Sequence, residues 1–203
     1  MINHNKTSKQ SGFALLITLL VVSVVVAVSA AIIELSIKQL ELSVTARDSE
    51  IAFHAANAGL ECARYIQRTA GDAILLGTTL INSNCFGVPT TVTEVSNQLP
   101  GTVGFSVTPS THRTIRRYVN SAGITWSGDR CTKLDMLVTT VWGDATSDLT
   151  ISGLDNIYPG YTTGNKVCPI GSTCYVVAVS GYNNACSNLT AADTVRREVL
   201  LEF

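Results

Sequence analysis

Phe13 to Ile33 reads FALLITLLVVSVVVAVSAAII, 21 residues without a charge, a proline or a glycine. At a rise of about 1.5 Å per residue it makes a helix of about 30 Å, the thickness of a bilayer's hydrocarbon core. The uncharged interval extends outward to Lys9 on one side and Glu34 on the other. Lys6 and Lys9 precede it without an acidic residue, so the short leader is expected to stay cytoplasmic and the remainder to face outward.

Beyond the run, residues 34–68 contain no proline and a single glycine, Gly59. Ile37, Leu40, Val44, Ile51, Ala55, Ala58, Cys62 and Ile66 recur there at helical intervals, which predicts that the apolar helix continues as an amphipathic one. One uninterrupted helix from Phe13 to Arg68 would be about 85 Å long. Glu34 and Lys38 stand at i, i+4 in the favourable order, a solvated pair at the end of the apolar run together with Glu41.

The chain has 203 residues, 46% of them hydrophobic, and much of that aliphatic content lies in the one run. About 130 residues remain after the long helix, enough for one domain with its own core. From Gly71 the texture changes to short apolar runs separated by Gly, Pro, Asn and Ser, the pattern of an antiparallel β domain. Expected strands are Val103–Thr108, Thr114–Val119, Leu134–Val141, Tyr175–Ser180 and Val195–Phe203, the last two as neighbours in a sheet laid against the second half of the helix. The fold class is therefore α+β, divided into a leader (1–12), an apolar helix (13–33), its amphipathic continuation (34–70) and a β-rich head (71–203).

The formal net charge is −1, which gives no electrostatic reason to expect nucleic acid as a general partner. Cys62, Cys85, Cys131, Cys168, Cys174 and Cys186 all follow the apolar run, and none forms a C-x-x-C pair. On the outward side of a membrane an even set reads as disulfides. Fifteen pairings of six cysteines are open, and spacing does not choose among them, although the short gap between Cys168 and Cys174 suits a local loop. The set preferred here is Cys62 with Cys85, Cys168 with Cys174, and Cys131 with Cys186.

Three readings of the N-terminal segment compete. A secretory signal would be cut at Val28-Ser29-Ala30 or Ala27-Val28-Ser29, but the apolar core is longer than the usual 7–15 residues and the helical pattern runs on past the site. A permanent single-pass anchor explains the run equally well and leaves Gly12 without a role. The third reading rests on Ser11-Gly12-Phe13-Ala14-Leu15-Leu16-Ile17, which resembles the class III leader and cleavage site of type IV pilins and type II secretion pseudopilins. The segment Glu50-Ile51-Ala52-Phe53-His54-Ala55-Ala56-Asn57-Ala58-Gly59-Leu60-Glu61 likewise resembles the end of the N-terminal region of PilX-type minor pilins. The likeness covers about the first 65 residues.

That resemblance implies cleavage after Gly12 by a prepilin peptidase, N-methylation of the new terminus at Phe13, and assembly into a cell-surface filament from the inner membrane. Its implied partners are other pilin or pseudopilin subunits, the peptidase, the assembly platform and, before assembly, membrane lipid. Most members of the family carry Glu where this chain has Ile17. A carboxylate there would neutralise a neighbouring terminus, and its absence is similar to tip and PilX-type minor subunits. A charge in hydrocarbon costs at least about 2.5–3.5 kcal/mol on insertion scales, so such a Glu is normally retained for a partner. Ser23, Ala27, Ser29, Ala30 and Ala31 offer close helix approach in such a bundle.

No catalytic constellation emerges, and no enzyme activity or cofactor is expected. His4, His54 and His112 have no nucleophile placed beside them by the pattern. Asp144, Asp148 and Asp155 are weak calcium candidates in a loop whose composition also suits an ordinary turn. Arg113, Arg116 and Arg117 form the densest basic cluster, but on a strand Arg116 points away from the other two, which weakens DNA contact. Trp126, Trp142, Tyr158 and Tyr161 are candidates for a glycan-contacting surface or for core residues. Asn188-Leu189-Thr190 fits a glycosylation acceptor, which carries no information in a bacterial pilin-like protein.

Overall fold

A computed structural model describes residues 11–95, 113–158, 160–161 and 164–203. The leader positions 1–10, including His4, the expected strand Val103–Thr108 and His112 lie outside the described residues. The chain divides into two compact units, Met1–Ala46 and Arg47–Phe203. A single helix, α1 (Ser11–Leu76), runs through both. It outlasts the expected end near residue 70, reaching Leu76, with one non-helical residue, Ala70, inside it. Gly77, at φ +80, ends it: the Gly77 amide donates to the Ile74 carbonyl and the Thr78 amide to the Ala73 carbonyl, closing carbonyls that the helix leaves open.

In the second unit the strands are β1 (Leu80–Cys85), β2 (Val88–Glu94), β3 (Arg113–Val119), β4 (Ile124–Trp126), β5 (Arg130–Val141), β6 (Leu149–Ser152), β7 (Asn165–Cys168), β8 (Thr173–Tyr182) and β9 (Arg196–Glu202), with a one-turn helix α2 (Leu154–Ile157) between β6 and β7. Seven of them form one antiparallel sheet in the order β1-β2-β3-β5-β8-β9, with β4 also paired to β5, and β6 and β7 make a separate hairpin. The molecule is thus α+β, a long apolar N-terminal helix whose later part packs on an antiparallel sheet.

Three expected strands appear almost as read, as β3, β5 and β8, and the last becomes β9 beside β8 with Val179 opposite Val199. β5 is the centre of the sheet. Its side chains alternate between two cores, with Leu134, Met136 and Val138 facing α1 and Leu137 facing the other way. Burial on both sides explains why β8 reads as a nearly unbroken apolar run rather than as a strict alternation, and why β5 carries no charge from Met136 to Val141.

The first core joins Ala56, Leu60, Ala63, Ile66 and Ile74 of α1 to Met136, Val138, Val177 and Val179 of the sheet. On the opposite face a second core forms where Ile151, Leu154, Tyr158 and Tyr161 of the β6-α2-β7 layer cover Leu137, Val176 and Ala178. The sheet is therefore the middle of three layers. Disulfides fasten all three levels: Cys62 of α1 to Cys85 of β1, Cys131 of β5 to Cys186 in the loop after β8, and Cys168 of β7 to Cys174 of β8. These are the partners of the preferred set.

Candidate functional site

From Gly12 to Ala46 every residue of α1 is exposed, bulky aliphatics included; Phe13 keeps 70% of its surface, Leu19 67% and Val26 61%. Such a surface is the reverse of a soluble helix, in which the large apolar side chains face a core. The hydroxyls of its apolar part are turned inward on the helix itself: Thr18 donates to the Leu15 carbonyl, Ser23 to Leu20, Ser29 to Val25 and, just beyond, Ser36 to Ile32, at 2.8–2.9 Å. In an apolar surrounding that back-bonding removes donors that would otherwise lack a partner. Among the described residues α1 is the one helix long and apolar enough to cross a membrane.

Gly12 and Phe13 lie in the first turn of this helix, and nothing stands within 4 Å of where a Gly12 Cβ would be. Ile17 is part of the same bare apolar surface. Where the apolar stretch ends, Lys38 Nζ meets Glu34 at 3.2 Å, both well exposed.

The second unit uses the same helix differently. Its contact stripe is Ala52, Ala55, Ala56, Gly59 and Ala63, small residues that let the helix backbone reach the sheet. A Cβ on Gly59 would stand 2.2 Å from the Thr132 methyl, and one on Gly181 of β8 would stand 2.1 Å from the Ala52 carbonyl oxygen. Thr132 Oγ1 donates to the Ala55 carbonyl at 2.7 Å and accepts from the Trp126 indole, and Arg197 Nε donates to Ser49 Oγ at 2.7 Å.

On the far face of the sheet a polar cluster sits at the edge of the second core. Arg117 Nε donates to Asp135 Oδ1 at 2.9 Å, and the Tyr158 hydroxyl donates to the same oxygen at 3.1 Å. Hydrogen bonding to Asp135 holds the Arg117 guanidinium above its usual range despite burial. Burial, followed by the Asp135 charge, pushes the Tyr158 phenol well above its usual value, so it stays a donor. Beside this cluster β3, β5, β8 and β9 leave a cleft of about 360 Å³. Lys133, Tyr182 and Glu198 line it; no sequence pattern marks them, because they come from three strands remote in the chain.

The three arginines are divided, as the strand period expects, and each is engaged: Arg113 with Ser147, Arg116 with Glu94 at 2.8 Å, and Arg117 with Asp135. They form no basic surface. Tyr158 and Tyr161 are 1% and 5% exposed, so they belong to the core and leave Trp142 and the half-buried Trp126 apart from them. Asp148 accepts the Ile170 amide at 3.0 Å, and among the described residues no group of three His, Cys, Asp or Glu converges as a metal site, Asp144, Asp148 and Asp155 included. His54 pairs loosely with Glu50 on the exposed helix surface, 3.6 Å away. Among the described residues these contacts assemble no nucleophile and base. Set against family models, curated proteins and solved structures, the chain matches none of them.

Proposed function

We propose that this chain is a minor subunit, of tip or initiating type, of a type IV pilus or pseudopilus, cleaved after Gly12 and methylated at Phe13. The carrying observation is the division of labour along α1: a bare half whose first 21 residues, Phe13 to Ile33, are free of charge with their hydroxyls bonded back to the helix, and a half locked by small residues to a disulfide-braced sheet. The first is suited to exchanging lipid for neighbouring helices, the second to carrying a rigid head. The leader-like Ser11-Gly12-Phe13 supplies the route, since a cut after Gly12 leaves the helix from Phe13 onward on the product. Ile17 in place of the family's Glu favours a subunit that does not dock beneath a predecessor. Other pilin-like subunits, the prepilin peptidase and the assembly platform are the partners of this reading.

The polar cleft on the head favours a second reading, a permanently anchored extracytoplasmic binding protein. The two part at the N-terminus. Intact mass and N-terminal sequencing of the protein recovered from host membranes should give methylated Phe13. An intact leader would leave the anchored binding protein, and a terminus at Ala31 would mean release by signal peptidase.

A further inference from the structure

The cleft beside Asp135 has an unbalanced charge. Asp135 is held by Arg117 and Tyr158, and Glu198 accepts from Arg196 and from Ser180 Oγ, so both carboxylates are already matched within the protein. Lys133 is half-buried in the same wall, and its ammonium has no partner among the described residues. The same holds for the hydroxyl of the half-buried Tyr182. Lys133 lies opposite Ser180 in the β5–β8 ladder, and Tyr182 is two residues on along β8. The two side chains therefore stand on one face as diagonal neighbours, about 7–8 Å apart at their bases and within reach of a common ligand group.

A partly desolvated ammonium is costly unless an anion completes it. A single unmatched cation beside two matched carboxylates suits a monoanion, since the second charge of a dianion would find no counter-ion left in the cleft. We propose that this cleft binds a small monocarboxylate ligand, with Lys133 Nζ as its counter-ion and the Tyr182 hydroxyl donating to it. Two sources share that chemistry, a sugar acid and the terminal carboxylate of a peptide.

The test is an NMR titration of the full-length, nitrogen-15-labelled chain in an uncharged detergent, with D-glucuronate, N-acetylglycine and, as the neutral control, D-glucose. At least one carboxylate should shift the Lys133 and Tyr182 amides saturably, and the tighter of the two identifies the source. Lys133→Met should weaken that binding at least about tenfold, while Lys133→Arg keeps it within about threefold. Tyr182→Phe, which leaves the ammonium in place, should weaken it severalfold. The site does not exist if neither carboxylate saturates, if glucose binds as tightly as glucuronate, or if Lys133→Met leaves the affinity unchanged.

Discussion

The two halves of α1 share one backbone conformation and differ in what they ask of their surroundings. From Phe13 to Ile33 the side chains are uncharged, mostly aliphatic and exposed on all sides; after Arg47 the buried positions are Ala52, Ala55, Ala56, Gly59, Leu60, Cys62, Ala63, Ile66 and Ile74, and Glu61 and Arg68 are among the exposed ones. Large apolar groups maximise contact with any apolar medium without selecting a geometry, whereas small groups permit one close approach and exclude others. The first half thus leaves its neighbour unspecified, whereas the second is fixed against one sheet.

The fixed half is most severely tested by removing its staples. Cys131 and Cys186 are 55 residues apart in sequence, and closing a loop of that length restricts the unfolded chain by about 4 kcal/mol. Cys131→Ser with Cys186→Ser should lower the stability of the head by that order in chemical denaturation. The apolar half, which lacks any cysteine, should keep its helical signal in detergent through the same transition.

Membrane partition separates the halves next. Val22→Asp places a charge in the bare stretch and should cost about 2.5–3.5 kcal/mol of insertion, read as a larger share of protein extracted by alkaline carbonate. Arg68→Asp, on the exposed side of the second half, should leave the extracted share unchanged. Equal behaviour of the two variants would remove the distinction.

Gly181→Ala probes the close approach itself. Its new methyl would collide with the backbone of Ala52 and Ala56, which cannot swing aside, and a loss of about 1–3 kcal/mol is expected in denaturant titration. Adding the same single methyl at Gly12, where nothing stands within 4 Å, should leave the head's stability untouched.

The smallest effect is a pH dependence at the end of the helix. The Tyr118 hydroxyl donates to the Ile74 and Thr78 carbonyls, and burial, assisted by Glu94, pushes its phenol up to about 12. The folded state therefore keeps the proton that the unfolded chain gives up near pH 10. Stability from this group is full below pH 10 and is lost as the pH rises toward 12. Tyr118→Phe should flatten the alkaline decline in melting temperature over that window.

The strands legible in the sequence are β5 and β8, buried on both faces, and β3 and β9, which carry the apolar residues Ile115, Tyr118 and Val119 and the run Val199, Leu200 and Leu201. β1, with the sequence LINSNC, and β2, VPTTVTE, escaped notice because Asn, Ser and Thr dominate them and their buried residues are only Ile81, Cys85, Thr90 and Val92. β4, β6, β7 and α2 are three or four residues long, too short for any period to register. The arginine cluster was legible as divided between faces, but its acidic partners were not, since Glu94 and Asp135 come from other strands.

By itself the sequence determined the apolar run, its continuation as a helix and the α+β class, because hydropathy and helical period are local properties that every turn repeats. Only the tertiary structure decided that Tyr158 and Tyr161 close a second core, that Gly181 is where sheet and helix touch, and that Lys133 stands unmatched beside two matched carboxylates. Those facts depend on strand order and register, which set neighbours between residues far apart in the chain and leave no periodic trace in it.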